Sequence, residues 1–316
     1  MDIPSYFEAA KMGDVWPERA ALVADAAMAA RARGVVGAAR DDKRRIAAFG
    51  IDCQIGFCTP GASLFVPGAV GDTERTARWL YTNMGALTEL MFSLDTHAVH
   101  QVFHPAFWRD AAGNPPPPFT VISVSDVKAG RWTPRDARAG EYVEKLARAG
   151  KYALTIWPYH VLLGGVSHAL VPALMEASIF HAVARDVPTA FETKGQHPLT
   201  ENYSVLSTEV SELGGERVGT FNTRLYDHLI SFDRIYVFGQ AKSHCVLSTL
   251  RDLAGHAKDR ALLSRIHVLV DAMSPVPAPP LDPLPAALDF PRIAEEAFAE
   301  LGAAGMVLCK TVDPIA

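Results

Sequence analysis

The sequence predicts a doubly wound, Rossmann-like α/β fold with a mostly parallel sheet and helices on both faces. Two observations carry this prediction. From residue 45 onward, short apolar runs alternate with amphipathic stretches, and each run is continuously hydrophobic rather than apolar at every second residue. Strands of a parallel sheet that is buried on both faces have this pattern, and helices must connect them.

The apolar runs define the predicted strands, because they are short and rich in β-branched and aromatic residues. They lie at residues 46–52, 90–95, 153–157, 187–193, 235–240, 266–272 and 306–311. Helical periodicity is found between several of them, at residues 73–84, 141–151, 246–258 and 290–302. This alternation predicts one large α/β domain over residues 45–316.

Two stretches fall outside the alternation. Residues 16–33 are rich in alanine and periodic, with Pro17 in the first turn, so we interpret residues 1–44 as an N-terminal helical extension outside the core. Residues of about 108–152 contain four consecutive prolines and no clear strand–helix unit before residue 141. We interpret them as an insertion near the site that serves as a lid or an oligomer contact.

Composition excludes several classes of function. The 316 residues carry a net charge of -5 without a block of Lys or Arg, so no surface for nucleic acid or an anionic membrane is indicated. No run of 18 uncharged apolar residues and no signal peptide is found. We expect a soluble, cytoplasmic protein with four free cysteines that acts on a small molecule.

Polar residues close several predicted strands, where doubly wound folds place their sites. Asp52, Asp95 and Lys194 end three strands, and residues 240–245 (QAKSHC) follow a fourth. Burial would raise the pKa of Asp52 and suit it to proton transfer. The ammonium of Lys194 would stabilise a carboxylate and a thiolate beside it. Each residue alone is equally consistent with a solvated strand end, but together they favour a catalytic group.

Cys245 is the candidate nucleophile. It follows a strand and a tight polar turn and precedes a predicted helix, whose dipole can lower the pKa of a thiol at its N-terminus. Backbone N–H groups of the same turn are free to bind an oxyanion. A lone cysteine is more often a small buried hydrophobic residue, so the hypothesis depends on its partners.

A second group of residues has the chemistry of a metal site. Asp95 and His97 are two residues apart, so both side chains point the same way from an extended backbone. His160, after the predicted strand 153–157, would add a third ligand and leave positions open, as catalytic sites do. Histidine near a strand end is more often only hydrogen-bonded, and the nearby His100 and His104 are alternative ligands.

These motifs resemble the nicotinamidase/isochorismatase-like cysteine hydrolases, and most closely the nicotinamidases. Four further blocks occur in family order after the first: the Asp-x-His of residues 95–97, the Trp-Pro-x-His of residues 157–160, the lysine segment 193–195 and the nucleophile turn 239–246. In the first block, residues 49–69, the positions that match are Asp52, Gln54, Phe57, Gly61, Ser63, Leu64, Val66, Gly68 and Ala69.

The resemblance implies a fold, an activity and residue roles. It implies hydrolysis of a small-molecule carboxamide, with nicotinamide as the leading substrate, through a thioester on the nucleophilic cysteine, in an enzyme that forms homo-oligomers. The cofactor would be a divalent metal ion, zinc or alternatively iron or manganese. A cis peptide bond would join residues 240 and 241. The implied roles are catalysis by Asp52, Lys194 and Cys245, an oxyanion hole at Ala241 and Cys245, substrate contacts from Phe57, Trp157 and Gln240, and metal ligation by Asp95, His97 and His160.

Departures from the family pattern leave the substrate open. Gly56 replaces the usual second aspartate of the first motif, and Lys242 and His244 bring basic side chains to the nucleophile turn. The alternatives are a carbamoyl or maleamate-type amide, a vinyl-ether hydrolase without the metal, and a silent ligand-binding homologue. Retention of the two metal motifs disfavours the second alternative, and retention of all three triad positions disfavours the third.

Overall fold

The computed structural model describes residues 1–279 and 282–315. Its central sheet has six parallel strands in the order β12-β11-β10-β1-β2-β7. The chain starts in the middle of the sheet, moves to one edge, and then returns to build the other half. This is the predicted doubly wound arrangement. The strands of the sheet are β1 (Ile46–Ile51), β2 (Glu89–Asp95), β7 (Ala190–Lys194), β10 (Arg234–Gly239), β11 (Ile266–Leu269) and β12 (Val307–Cys309).

Helices cover both faces of this sheet. One face buries α3 and α6 together with the N-terminal helix α1, and the other face buries α7, α8 and α10. Alternate residues of β1 enter the two cores, because Ala48 faces the first and Phe49 the second. The helices are α1 (Ala20–Ala32), α2 (Ile55–Cys58), α3 (Ala69–Asn83), α4 (Val124–Lys128), α5 (Arg138–Arg148), α6 (Pro172–Arg185), α7 (Thr223–Ile230), α8 (Leu247–His256), α9 (Arg260–Leu263) and α10 (Phe290–Ala304).

The N-terminal extension is part of the packed structure. Helix α1 begins at Ala20, so Pro17 precedes it rather than lying in its first turn. Val23 and Ala27 enter the core of the first face, and Arg19 forms an ion pair with Glu176 of α6 at 2.8 Å. The prediction that this segment packs outside the core is therefore wrong, because its small alanine face allows close packing on α6.

One predicted strand is also wrong. Of residues 153–157, only β6 (Leu154–Thr155) forms a strand, and it pairs antiparallel with β4 (Val121–Ile122) away from the central sheet. Continuous hydrophobicity arises here because residues 102–157 form a third small core with residues 199–218. The other short strands are β3 (Trp108–Arg109), which pairs with β5 (Thr133–Pro134), and β8 (Glu212–Leu213), which pairs with β9 (Glu216–Arg217).

Candidate active site

The three predicted triad residues meet at one edge of the central sheet. The Nζ atom of Lys194 lies 2.8 Å from Oδ2 of Asp52, 2.9 Å from Oδ1 of Asp95 and 3.6 Å from Sγ of Cys245. Asp52, Asp95 and Cys245 offer side-chain atoms that all lie within 4.8 Å of one another. This convergence follows from the topology, because parallel neighbouring strands end at the same edge.

Asp52 is held in one orientation. Ser93 of β2 donates a hydrogen bond to Oδ1 of Asp52 at 2.5 Å, while Oδ2 faces Lys194. The backbone of Asp52 has a φ of 47°, in the left-handed region that non-glycine residues rarely adopt and that occurs at functional positions. Burial raises the pKa of Asp52, although the Lys194 ammonium opposes this effect. The carboxyl therefore has the environment of a proton acceptor.

The lysine is charged in spite of its burial. Desolvation disfavours the ammonium, but the carboxylates of Asp52 and Asp95 outweigh it and raise the pKa of Lys194 well above its usual value. The backbone carbonyl of Asn202 also accepts a hydrogen bond from Nζ, at 2.9 Å. Two acids and one amine therefore form a compact ionic group next to the sulfur.

Cys245 lies in a wide helical turn, Lys242–Val246, that leads directly into α8. Burial raises the pKa of its thiol well above the usual value, with Lys194 opposing and the two carboxylates adding to the rise. The expected lowering of this pKa is therefore wrong, because burial and the two nearby carboxylates raise it. The thiol is neutral at rest and needs a base. All four cysteines are free, as predicted.

The predicted metal ligands also converge. Asp95, His97 and His160 offer ligand atoms within 4.8 Å of one another. The Nδ1 atoms of the two histidines are bonded to backbone carbonyls, that of His97 to Gly195 at 3.0 Å and that of His160 to Pro158 at 2.7 Å. Both Nδ1 atoms are thereby occupied, which is the usual outer-shell arrangement of metal-binding histidines, and Nε2 of His97 faces Oδ2 of Asp95 at 2.8 Å. The donor set fits a divalent ion such as zinc.

Two neighbours of the metal group fix its backbone. The side chain of Gln54 donates to the carbonyl of Asp95 at 2.9 Å and accepts from its N–H at 2.8 Å. Gly195 has a φ of 79°, and a Cβ there would lie 2.6 Å from Oδ1 of Asp95 and 2.7 Å from Cε1 of His97. Glycine is therefore required for the backbone to approach the site.

The structure distinguishes the two additional histidines of this segment. His100 is exposed. His104 is buried, with its ring centroid 5.8 Å from that of His97 and 5.5 Å from that of His160. Its Nε2 atom has no hydrogen-bond partner in the described structure. Of the two, only His104 packs against the candidate metal ligands.

A largely apolar cavity leads to Cys245. Phe57 and Trp157, which are predicted to bind the substrate, line it. Ala241 lines it too, and the peptide bond between Gln240 and Ala241 is cis, as predicted. Gln240 itself does not line the cavity. Its side-chain amide donates to Asp72 at 2.9 Å and accepts from the N–H of Ser274 at 3.2 Å, so its side chain stabilises the turn instead.

Sequence reasoning missed part of the cavity wall. Glu201, Asn202 and Tyr203 line it from the segment after Lys194, where no periodic or motif signal marks them. His244 lines it too, enclosed by four aromatic side chains with ring centroids at 4.8–5.6 Å. Burial lowers the pKa of His244 to about 3, so its imidazole is neutral. The predicted cationic group at this position is therefore absent.

Comparison with solved structures identifies the architecture. A nicotinamidase/pyrazinamidase of Acinetobacter baumannii superimposes with a TM-score of 0.54 at 20% identity, over 86% of this chain and 99% of that one. The yeast nicotinamidase bound to the inhibitor nicotinaldehyde gives 0.54 at 16% identity, over 84% and 99%. The fold is that of the nicotinamidases.

These superpositions confirm the fold that the sequence motifs predict. Sequence similarity is far weaker than structural similarity: no protein-family profile matches the chain, and no curated protein is significantly similar to it in sequence. In the described part of the chain, no helix has the length and apolar character needed to cross a membrane.

Proposed function

We propose that this chain hydrolyses a small-molecule carboxamide through a thioester on Cys245, with nicotinamide as the leading substrate. One observation carries the proposal. The ammonium of Lys194 lies within 2.9 Å of two buried carboxylates and 3.6 Å from the cysteine sulfur. A group of this kind at the end of an accessible cavity is what a cysteine nucleophile and its base require.

Acylation begins with a proton transfer. Asp52 accepts the proton of the Cys245 thiol, and the sulfur attacks the amide carbonyl carbon to form a tetrahedral oxyanion. The backbone N–H groups of Ala241 and Cys245 are the proposed donors to that oxyanion. As the C–N bond breaks, Asp52 returns the proton to the nitrogen, and ammonia leaves. The acyl group then remains on the sulfur.

In deacylation, water is the nucleophile and the Cys245 thiol is the leaving group. Water attacks the thioester while Asp52 accepts one of its protons, and the carboxylic acid leaves as the thiol regains a proton. The ammonium of Lys194 stabilises the negative charge that alternates between the carboxylate and the sulfur. No external oxidant or reductant is needed.

A divalent ion fits the proposal. Asp95, His97 and His160 would hold it. When bound, it would supply a Lewis-acid contact for a heteroaromatic ring nitrogen or for water beside it. The walls from Phe57 and Trp157 suit a flat ring, and this combination supports nicotinamide, converted to nicotinic acid and ammonia.

The decisive experiment measures ammonia release from nicotinamide, pyrazinamide, maleamate and carbamoyl amides by the purified protein. We expect the highest kcat/KM for nicotinamide or pyrazinamide. Preference for maleamate or a carbamoyl amide would keep the cysteine mechanism but change the substrate. Release from none of the panel would contradict the proposed activity.

A further inference from the structure

Glu201 is a buried acid that the proposed chemistry does not use. It is 3% exposed and lines the cavity, and burial raises its pKa to about 7. Its Oε1 atom accepts from Nε1 of Trp157 at 3.2 Å and from the hydroxyl of Tyr203 at 2.6 Å, and its Oε2 accepts from the hydroxyl of Tyr142 at 2.9 Å. Three donors thus converge on one carboxylate.

These donors come from three parts of the chain. Trp157 and Tyr203 are walls of the cavity, whereas Tyr142 belongs to helix α5 of the insertion and does not line it. The hydroxyl of Tyr142 also accepts a hydrogen bond from the backbone N–H of Glu201 at 3.0 Å. The insertion therefore reaches the cavity through the chain of contacts from Tyr142 to Glu201 to Trp157.

We propose that Glu201 is a positioning residue that fixes the indole of Trp157 as the substrate-facing wall, and that the insertion supports it through Tyr142. An indole N–H can only donate, and Trp157 also contacts the Tyr203 hydroxyl at 3.2 Å. Bonds to an ionised acceptor are stronger than neutral ones, so the carboxylate restricts the ring plane. The consequence for substrate affinity rests on the proposed function; the contact itself does not.

Stability alone does not explain this carboxylate. Burying an acid among aromatic rings costs free energy, and apolar residues of similar volume are often as stable or more stable. The carboxylate satisfies three buried donors and at the same time fixes their directions. Here two of the three donors are cavity walls, so a small rotation of either would change the shape presented to a flat substrate.

The chain offers a matched control. Glu176 is also 3% exposed and also accepts from an indole, Nε1 of Trp16 at 3.1 Å, but it lies on α6 against the N-terminal segment, away from the cavity. Glu201→Gln and Glu176→Gln therefore both remove the charge of a buried acid that accepts from an indole, and Glu176→Gln additionally breaks the ion pair with Arg19. Glu201→Gln affects the proposed cavity wall, whereas Glu176→Gln affects the packing of the N-terminal segment on α6.

The kinetic test compares these variants with nicotinamide as substrate. We expect Glu201→Gln to raise KM about tenfold, which is the factor that the loss of one charged hydrogen bond implies, with a smaller change in kcat. Tyr142→Phe should raise KM by a smaller factor. Glu176→Gln should leave both constants unchanged. Equal KM values for Glu201→Gln and Glu176→Gln would overturn the positioning role.

A second measurement does not depend on turnover. In 15N-labelled protein the indole N–H of Trp157, assigned with Trp157→Phe, should exchange with solvent at least several times faster in Glu201→Gln than in the wild type, with the indole of Trp16 unaffected. Unchanged exchange at Trp157 would overturn the inference even if nicotinamide is hydrolysed. Absence of wild-type turnover together with faster exchange would contradict the proposed function while retaining the Glu201 contact.

Discussion

The Nζ atom of Lys194, at the end of the edge strand β7, lies 3.6 Å from the Sγ atom of Cys245, in the helical turn that follows β10. Strands β2 and β1 lie between β7 and β10 in the sheet. The two residues are 51 positions apart in sequence. The same ammonium contacts Asp52 and Asp95, so it connects the proposed nucleophile to the proposed base and to the candidate metal group.

Cys245→Ala should reduce ammonia release at least ~10³-fold, because the other groups cannot form a covalent intermediate. The circular dichroism spectrum should not change, since alanine fits the same turn. Cys309→Ala is the control. Cys309 is half-buried on β12 and does not line the cavity, so that variant should keep wild-type turnover. Undiminished release from Cys245→Ala would contradict the thioester mechanism.

Lys194→Met should destabilise the protein as well as inactivate it. The substitution leaves Asp52 and Asp95 buried beside each other without their cation, and removal of one partner from such a group costs about 3–5 kcal/mol. Urea unfolding of the metal-free protein measures the free energy of unfolding. Lys11→Met, which breaks an exposed pair with Glu8, should change it little. An unchanged free energy of unfolding for Lys194→Met would show that Lys194 does not stabilise the two buried carboxylates.

Metal analysis should find about one divalent ion per chain, and His97→Ala should lose it. His97 lies 2.8 Å from Asp95 and is oriented by the carbonyl of Gly195, so its removal deletes both a ligand and its alignment. The exposed His100 provides the control, since His100→Ala should retain the ion. Full occupancy in His97→Ala would mean that the ion binds elsewhere.

Gln54→Ala should weaken metal binding without removing a ligand. The Gln54 side chain forms two hydrogen bonds with the backbone of Asp95, and loss of such supporting contacts typically lowers metal affinity by about 10–100-fold. Competition with a chelator measures the metal dissociation constant. Gln196→Ala changes an exposed glutamine next to Gly195 and should leave that constant unchanged.

The KM for nicotinamide should rise as the pH falls through about 7. The raised pKa of Glu201 means that its carboxylate is ionised above this pH and accepts a proton below it, which weakens its bonds to the three donors. The titratable groups that face it are Tyr142, Tyr203 and Glu209. The step in KM should be absent from Glu201→Gln, and its persistence there would assign the titration to another group.

Much of the fold and of the triad could be predicted because the governing signals are local. Continuous apolar runs identify strands that are buried on both faces, and the sheet topology brings their final residues to one edge. Asp52 and Asp95 follow or end such runs, and Lys194 ends the partly exposed edge strand β7, so their convergence follows once the strands are assigned.

Other features had no local signal. Residues 153–157 are as apolar as a core strand, but they pack in a separate small core, and only long-range pairing with Val121–Ile122 decides this. The pKa of Cys245 is raised by burial and by two acids that are distant in sequence, and no local pattern marks either effect. The direction of the Gln240 side chain was likewise set by Asp72 and Ser274.

The sequence by itself determined the doubly wound fold class and which residues converge at the sheet edge, namely Asp52, Lys194, Cys245 and the three candidate metal ligands. Only the tertiary structure decided which side chains enclose the cavity, because Glu201 and Tyr142 meet there through contacts between segments that share no periodicity or motif. Local patterns record which residues are buried, whereas the partners of a buried group are fixed only when distant segments pack together.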